Sequence, residues 1–239
     1  MNNLQHLGVI MDGNRRWAKK NMLKTVIDGH RAGTQKFIDL CSWCVDEKIP
    51  YVTVFAFSTE NWNRAQEEVR GIFDLMEEFF RTEIQTCIEK GVKLTILGDR
   101  AKLKRESQET IKNAEYRTKD CSALHAQIAI NYSGRDEIIR GIKKLLAQSD
   151  GTQSFIGSFT DEAFEKYLDT AGMPDIDLII RTGASGRKRL SGFFPWQSVY
   201  AELIFLDVLW PDFLKDDLIN AINWFKDVER LKGGGKVQL

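Results

Sequence analysis

Cysteine and proline are scarce, at four each in 239 residues. Only Cys41 and Cys44 lie close together; Cys87 and Cys121 stand apart. A tetrahedral zinc site needs about two more clustered ligands, and His6, His30 and His125 are scattered. The pair also falls on the helical spacing Phe37, Leu40, Cys41, Cys44, so the thiols are expected to be reduced packing residues. Net charge is absent too: 34 basic side chains balance 34 acidic ones. That leaves no electrostatic footprint for wrapping nucleic acid, and no nucleic-acid partner is expected. No apolar run approaches the roughly 18 residues of a membrane helix. The opening MNNLQHLGVI has no basic stretch of the kind that starts a signal peptide, so a cytoplasmic protein is expected. Neither G-x-x-x-x-G-K-[ST] nor G-x-G-x-x-G occurs, which removes the nucleotide P-loop and the dinucleotide fingerprint.

What remains is ordinary globular composition, 43% hydrophobic and 28% charged. Apolar strand-like runs at 7–11, 51–57, 92–97, 127–131, 177–180 and 202–209 alternate with helical patterns. The helical patterns cover 32–47, 65–90, 101–119, 135–148, 161–170 and 214–231. Such alternation predicts an α/β fold with a mostly parallel central sheet and helices on both faces. No internal repeat appears, so residues 1–239 are expected to form a single domain. Flexible stretches are expected at 149–158, 183–188 and 233–239.

Ligands of open α/β sheets bind beyond the carboxyl ends of strands. Three polar clusters follow strands directly: 12–17, 58–64 and 181–183. They should converge on one crevice. Arg16, Arg64, Arg181 and Arg189 can fork onto phosphate oxygens, and a helix start after Asp12 supplies oriented N–H groups. Asp12 is a poor direct neighbour of phosphate but suits a Mg²⁺ ion bridging to it, because that ion takes one or two carboxylates plus phosphate oxygens. The helix after Arg64 carries Val69, Ile72, Phe73, Met76, Phe79 and Phe80, a stripe wider than one core-facing side needs. The expected ligand is therefore phosphorylated, not a nucleotide, with an apolar remainder held in a tunnel between sheet and helices.

These motifs resemble the cis-prenyltransferases, the undecaprenyl diphosphate synthase family. The resemblance rests on His6 to Asn14 with Arg16-Trp17-Ala18, on Gly29-His30-x-x-Gly33, and on Phe57-Ser58-Thr59-Glu60-Asn61-Trp62-x-Arg64. It continues through Arg181-Thr182-Gly183, Arg189-Leu190-Ser191, Trp196-Gln197, Tyr200-Ala201-Glu202-Leu203 and Leu209 to Phe213. Matches run in family order over residues 6–213. The resemblance implies a homodimer that condenses isopentenyl diphosphate with an allylic prenyl diphosphate, farnesyl diphosphate by expectation, forming cis double bonds. A medium-chain product such as undecaprenyl diphosphate follows, with peripheral membrane contact for its release. The same resemblance implies roles for residues. Asp12 would hold Mg²⁺ with Glu202 completing the metal site, and Asn61 would sit near the deprotonation step. Gly13, Asn14, Arg15, Arg16, Trp17 and His30 would surround the allylic diphosphate. Ser58, Thr59, Glu60, Trp62 and Arg64 would lie near the reacting ends. Arg181, Arg189, Leu190 and Ser191 would clamp isopentenyl diphosphate.

The chain departs from the family pattern at four places. Lys24 stands where an arginine usually precedes Gly29-His30, Ala65 replaces a proline, and Arg15 replaces a glycine. The family sequence Arg-Thr-x-Gly-Glu-x-Arg-x-Ser is interrupted by 184–188, which lacks the glutamate and lengthens the loop by two residues. Arg187 and Lys188 are expected to add unspecific positive charge there. Two alternatives stay open: a short-chain or irregular coupling enzyme, and a catalytically silent partner subunit. The aromatic 193–213 block is expected to supply part of a twofold interface, and loss of the Asp12 carboxylate is expected to change stability little or raise it.

Overall fold

The computed structural model describes residues 3–148 and 160–228. Six strands form one parallel sheet: β1 (His6–Ile10), β2 (Tyr51–Ser58), β3 (Val92–Leu97), β4 (Leu124–Tyr132), β5 (Leu178–Arg181) and β6 (Glu202–Phe205). Their order is β3-β4-β2-β1-β5-β6, every pairing parallel. The chain winds outward from β1 through β2 on one side, then returns to the other side through β5. The switch point is the β1–β5 boundary, where Ile10 pairs with Arg181. A ligand crevice belongs there.

Helices cover both faces. On one side lie α2 (Val26–Asp46), α3 (Gln66–Thr82), α5 (Arg105–Thr118) and α8 (Lys215–Asp227), with α1 (Asn14–Lys20) and α4 (Ile84–Glu89) beside them. They bury Leu40, Phe79, Ile111 and Phe225 with Val54 and Ile180 of the sheet. On the other side, α6 (Gly134–Gln148), α7 (Asp161–Glu165) and the chain before β6 enclose a smaller core of Tyr132, Ile179, Phe193 and Phe194. Cys41 and Cys44 are buried, and burial pushes both thiols well up, as inert packing residues require.

Element types agree with the sequence reading; boundaries differ where local chemistry was overlooked. Helix α2 starts at Val26, not Ala32, because Thr25 and Asp28 form a reciprocal cap. The expected 65–90 helix breaks at Glu83, and the 101–119 helix is a 3₁₀ turn (Arg100–Lys102) followed by α5. Only 161–165 of the expected 161–170 segment is helical. The stretches 149–158 and 233–239 lie outside the described residues.

Near its end β2 slips register twice against β4: Phe55 pairs with Ala129, Phe57 with Ile130 and Ser58 with Tyr132. Ala56 and Asn131 are each left unpaired, an irregularity of the β-bulge kind that restores the register at Ser58. It turns Phe55 towards Phe193 and Tyr132, whereas Phe57 meets Phe73 and Trp62 on the opposite face.

Candidate active site

Helix α1 begins two residues beyond Asp12, after Gly13 with φ 121, a backbone state that costs other residues strain. No side chain caps its N–H groups. Against α1 lies α2, brought close by two glycines one turn apart. A Cβ on Gly29 would stand 2.2 Å from the Asn14 carbonyl oxygen, and one on Gly33 would stand 2.5 Å from Asn14 Oδ1. The absence of those two methyl groups sets Asn14 beside His30, with Nδ2 3.4 Å from His30 Nδ1.

A polar cup of about 360 Å³ opens at this junction. Arg15, Arg16, Lys19, Arg64 and Arg187 line it against one carboxylate, Asp12. That excess of positive charge suits a polyanion. Met11, Asn14 and His30 also border a second, apolar cavity of about 80 Å³ running between α2, α3 and the sheet. Phe37, Ile72, Met76 and Phe79 line it, so part of the wide α3 stripe faces this tunnel while Phe73 stacks on Trp62 at 5.2 Å.

Asp12 sits between two arginines. Its Oδ1 accepts from Arg16 Nη2 at 3.2 Å and its Oδ2 from Arg181 Nη2 at 3.1 Å. The Arg181 side chain is 5% exposed and Asp12 32%. Arg181 Nη1 also donates to the Arg189 carbonyl and to Ser191 Oγ at 2.9 Å, tying both ends of the 181–191 segment together. Asp12 therefore has a structural duty, that of holding Arg181. The expectation that its removal leaves stability unchanged or higher is corrected: a buried guanidinium would lose its counter-charge.

One organiser was absent from the sequence reading. Glu68, 5% exposed, accepts from Arg64 Nη1 at 3.0 Å, lies 3.3 Å from His30 Nε2 and pairs with Arg15 Nε at 3.5 Å. A single buried carboxylate thus fixes three residues around the cup; the i,i+4 spacing from Arg64 was its only sequence signal. Burial holds the His30 pKa below its usual value, with the Glu68 hydrogen bond opposing, so the imidazole is neutral near pH 7.

Other expected residues are placed less centrally. Asn61 Oδ1 accepts from the Ser58 N–H at 3.1 Å, closing the 3₁₀ turn (Thr59–Asn63) that also holds Glu60 and delivers Arg64. Trp62 Nε1 donates to Asn131 Oδ1 and Trp17 Nε1 to Asp212 Oδ1, so both indoles brace neighbouring segments. Leu190 packs with Phe193 and Phe194 in the smaller core. Glu202 is not brought to the crevice within one chain. It pairs with Leu178 at the amino end of β6, about 10 Å of strand short of Arg181.

The side chains at the crevice offer Mg²⁺ few donors of their own. Among the described residues no three acidic, histidine or cysteine side chains cluster, so the chain builds no cation cage. Asp12 alone faces the anion cup, which fits an ion held jointly by one carboxylate and phosphate oxygens. Two of the buried polar atoms lacking a partner, Asn14 Oδ1 and Arg181 Nε, also border the crevice.

Comparison with known proteins gives a consistent identification. The Prenyltransf family model, which describes undecaprenyl diphosphate synthases, matches residues 10–233. An isoprenyl transferase of Clostridium perfringens is 40% identical over 97% of this chain and 90% of its own length. One from Streptococcus mutans is 42% identical, covering 96% and 92%. Lavandulyl diphosphate synthase from Lavandula x intermedia, solved with dimethylallyl diphosphate, superposes with TM-score 0.90 at 29% identity over 97% of this chain and 98% of that one. A probable undecaprenyl diphosphate synthase from Campylobacter jejuni gives 0.81 at 34%, covering 98% and 100%. An α/β sheet whose switch point opens into an anion cup and an apolar tunnel, matched along nearly its whole length, belongs to the undecaprenyl diphosphate synthase family of isoprenyl transferases.

Proposed function

We propose that the chain joins isopentenyl diphosphate units to an allylic prenyl diphosphate, farnesyl diphosphate as primer, with each new double bond cis and a medium-chain polyprenyl diphosphate as product. The observation that carries this reading is the polar cup adjoining the apolar tunnel, with Met11, Asn14 and His30 lining both. It matches an amphiphile with an anionic head and a hydrocarbon tail. In the proposed step the allylic C–O bond breaks and its electron pair leaves with the diphosphate. The terminal alkene carbon of isopentenyl diphosphate bonds to the allylic carbon, and a proton is lost from the acceptor to a diphosphate oxygen.

Arg15, Arg16 and Arg64 hold the departing diphosphate and stabilise the charge it gains. Arg181, with Ser191 and the backbone of Arg189, positions the acceptor diphosphate beside Asp12. Asn61 orients the turn that carries Arg64, and the tunnel keeps water from the carbocation. Mg²⁺ held at Asp12 would supply Lewis-acid stabilisation of diphosphate oxygens. The homodimer enters the proposal through the exposed Val199, Tyr200 and Leu203 at the β6 edge. Of the aromatic block, Phe193, Phe194, Trp210 and Phe213 are instead core. No helix among the described residues is long and apolar enough to cross a membrane; cytoplasmic action with peripheral membrane contact on product release belongs to the same proposal.

A second reading, short-chain or irregular coupling, is favoured by the 184–188 interruption, which lengthens the acceptor-side loop and removes its glutamate. Incubation with farnesyl diphosphate, labelled isopentenyl diphosphate and Mg²⁺ separates the readings. A ladder of long products with cis double bonds by NMR supports the first. One short product replaces it with the second, and no product refutes both.

A further inference from the structure

The 183–188 segment is the chain's largest departure from the family pattern, and its apex does not lie at the acceptor clamp. The segment is pinned on both sides. Gly183 N–H donates to the Val208 carbonyl, Ala184 N–H to that of Leu206, and Ser185 N–H to Asp207 Oδ1 at 2.8 Å. From the cup side, Arg16 Nη1 donates to Ser185 Oγ at 2.5 Å. Ser185 (φ 47) and Gly186 (φ 76) then reverse the chain, and the Arg187 N–H closes the turn on the Ala184 carbonyl. That reversal places Arg187 on the wall of the cup with Arg15, Arg16, Lys19 and Arg64. Lys188 and Arg189, the next two cations, do not line it.

The geometry points to Arg187 as a binding residue for the allylic (donor) diphosphate, contributed by a loop whose two ends serve the acceptor. This deepens the proposed function and rests on its assignment of the cup to the donor. It replaces the expectation of unspecific charge with a positional role: of two adjacent exposed cations, one faces the anion site. A guanidinium suits the task because it forks onto two phosphate oxygens at once. The loop then spans both substrates. Its root at Arg181 touches Asp12 and Ser191, while its apex closes the donor cup, so donor binding draws the acceptor segment into place.

Calorimetric titration with inorganic pyrophosphate tests the assignment in wild type, Arg187→Ala, Arg187→Lys and Lys188→Ala, with melting curves to confirm folding. Arg187 is exposed and packs in neither core, so each variant is expected to fold. The expected result is a Kd roughly ten- to a hundredfold weaker for Arg187→Ala, the loss of charge-assisted hydrogen bonds. Lys at 187 should recover part of that loss, and Lys188→Ala should stay within about twofold. Equal effects at 187 and 188, or no effect at 187, would overturn the proposal. Pyrophosphate lacks a prenyl tail, so this outcome is independent of turnover. Wild-type condensation measured in parallel reports separately on the proposed activity.

Discussion

Replacing Asp12 by alanine should damage the protein in two separable ways. Among the described residues the Asp12 carboxylate is the only acidic group hydrogen-bonded to Arg181, whose remaining bonds go to a carbonyl and a hydroxyl and whose Nε is already unpartnered. Stripping one partner from a fully buried ion pair costs about 3–5 kcal/mol. Asp12 is a third exposed and water can enter the gap, so the loss is discounted to about 1–3 kcal/mol. For a domain of this size each kcal/mol lowers Tm by about 2–4 °C, which puts the drop at roughly 2–12 °C. Turnover should fall further, by at least about 10²–10³, the order lost with one preorganised transition-state stabiliser. Asp12→Asn keeps acceptor capacity towards Arg181 through its amide oxygen. It should therefore restore part of the Tm, the hydrogen bond without the counter-charge, and not the rate. Differential scanning calorimetry and initial rates across a Mg²⁺ titration make the comparison. The reasoning fails if Asp12→Ala melts like wild type, if its turnover is near normal at saturating substrate, or if Asn rescues both properties together.

Glu68→Gln should weaken allylic diphosphate binding roughly tenfold by loosening Arg15, Arg64 and His30; the readout is KM rising with kcat less affected, and a change in kcat alone would contradict it. Gly29→Ala forces a methyl against the Asn14 carbonyl, so α1 must move; the expected outcome is a cost of about 1–3 kcal/mol with poorer donor binding, and denaturant unfolding showing no loss would count against the glycine contact. Burial lowers the pKa of His6, His30 and His125, the last to about 4. Each is protonated in the unfolded chain below about pH 6.5 but stays neutral in the fold. Stability should therefore fall as pH drops from about 6.5 towards each folded pKa, by up to about 1.4 kcal/mol per pH unit per histidine, and a flat Tm between pH 7 and 5 would refute this. Val199→Asp with Leu203→Asp should convert the proposed dimer to a monomer in light scattering, whereas a monomeric wild type at micromolar concentration removes the dimer from the proposal.

The sheet was readable because its strands are short continuous apolar runs between long amphipathic stretches, and the crevice because polar clusters follow those strands directly. Less accessible were features set by chain geometry in three dimensions. The start of α2 was signalled by Thr25 and Asp28, a reciprocal cap hidden behind the apolar pair Val26-Ile27. Glu83 gives no warning of a helix break, since neither glycine nor proline lies there; the break falls beside the buried Ile84. Glu202 could be matched to a motif, but which end of β6 it occupies depends on strand direction. Glu68 and Arg187 were missed as organisers of the cup because their roles depend on where long side chains end.

The bulge in β2 makes the length of that strand a fixed quantity. Period-two alternation would send Phe55 and Phe57 to one side; the extra residue at Ala56 lets them serve opposite layers. Deleting Ala56 would therefore do more than shorten a strand. With Phe55 and Phe57 then adjacent, strict alternation would still face them apart, but nothing would balance the unpaired Asn131 of β4, so Ser58 would slip from Tyr132 and rotate the turn that delivers Arg64. The same one-residue change in 185–188, where all four residues are exposed, disturbs no core packing but displaces the turn that presents Arg187 to the cup. Insertions and deletions thus act differently at two places bordering one crevice: on the β2 side they disturb the fold, and on the β5 side the reach of a ligand-facing arginine.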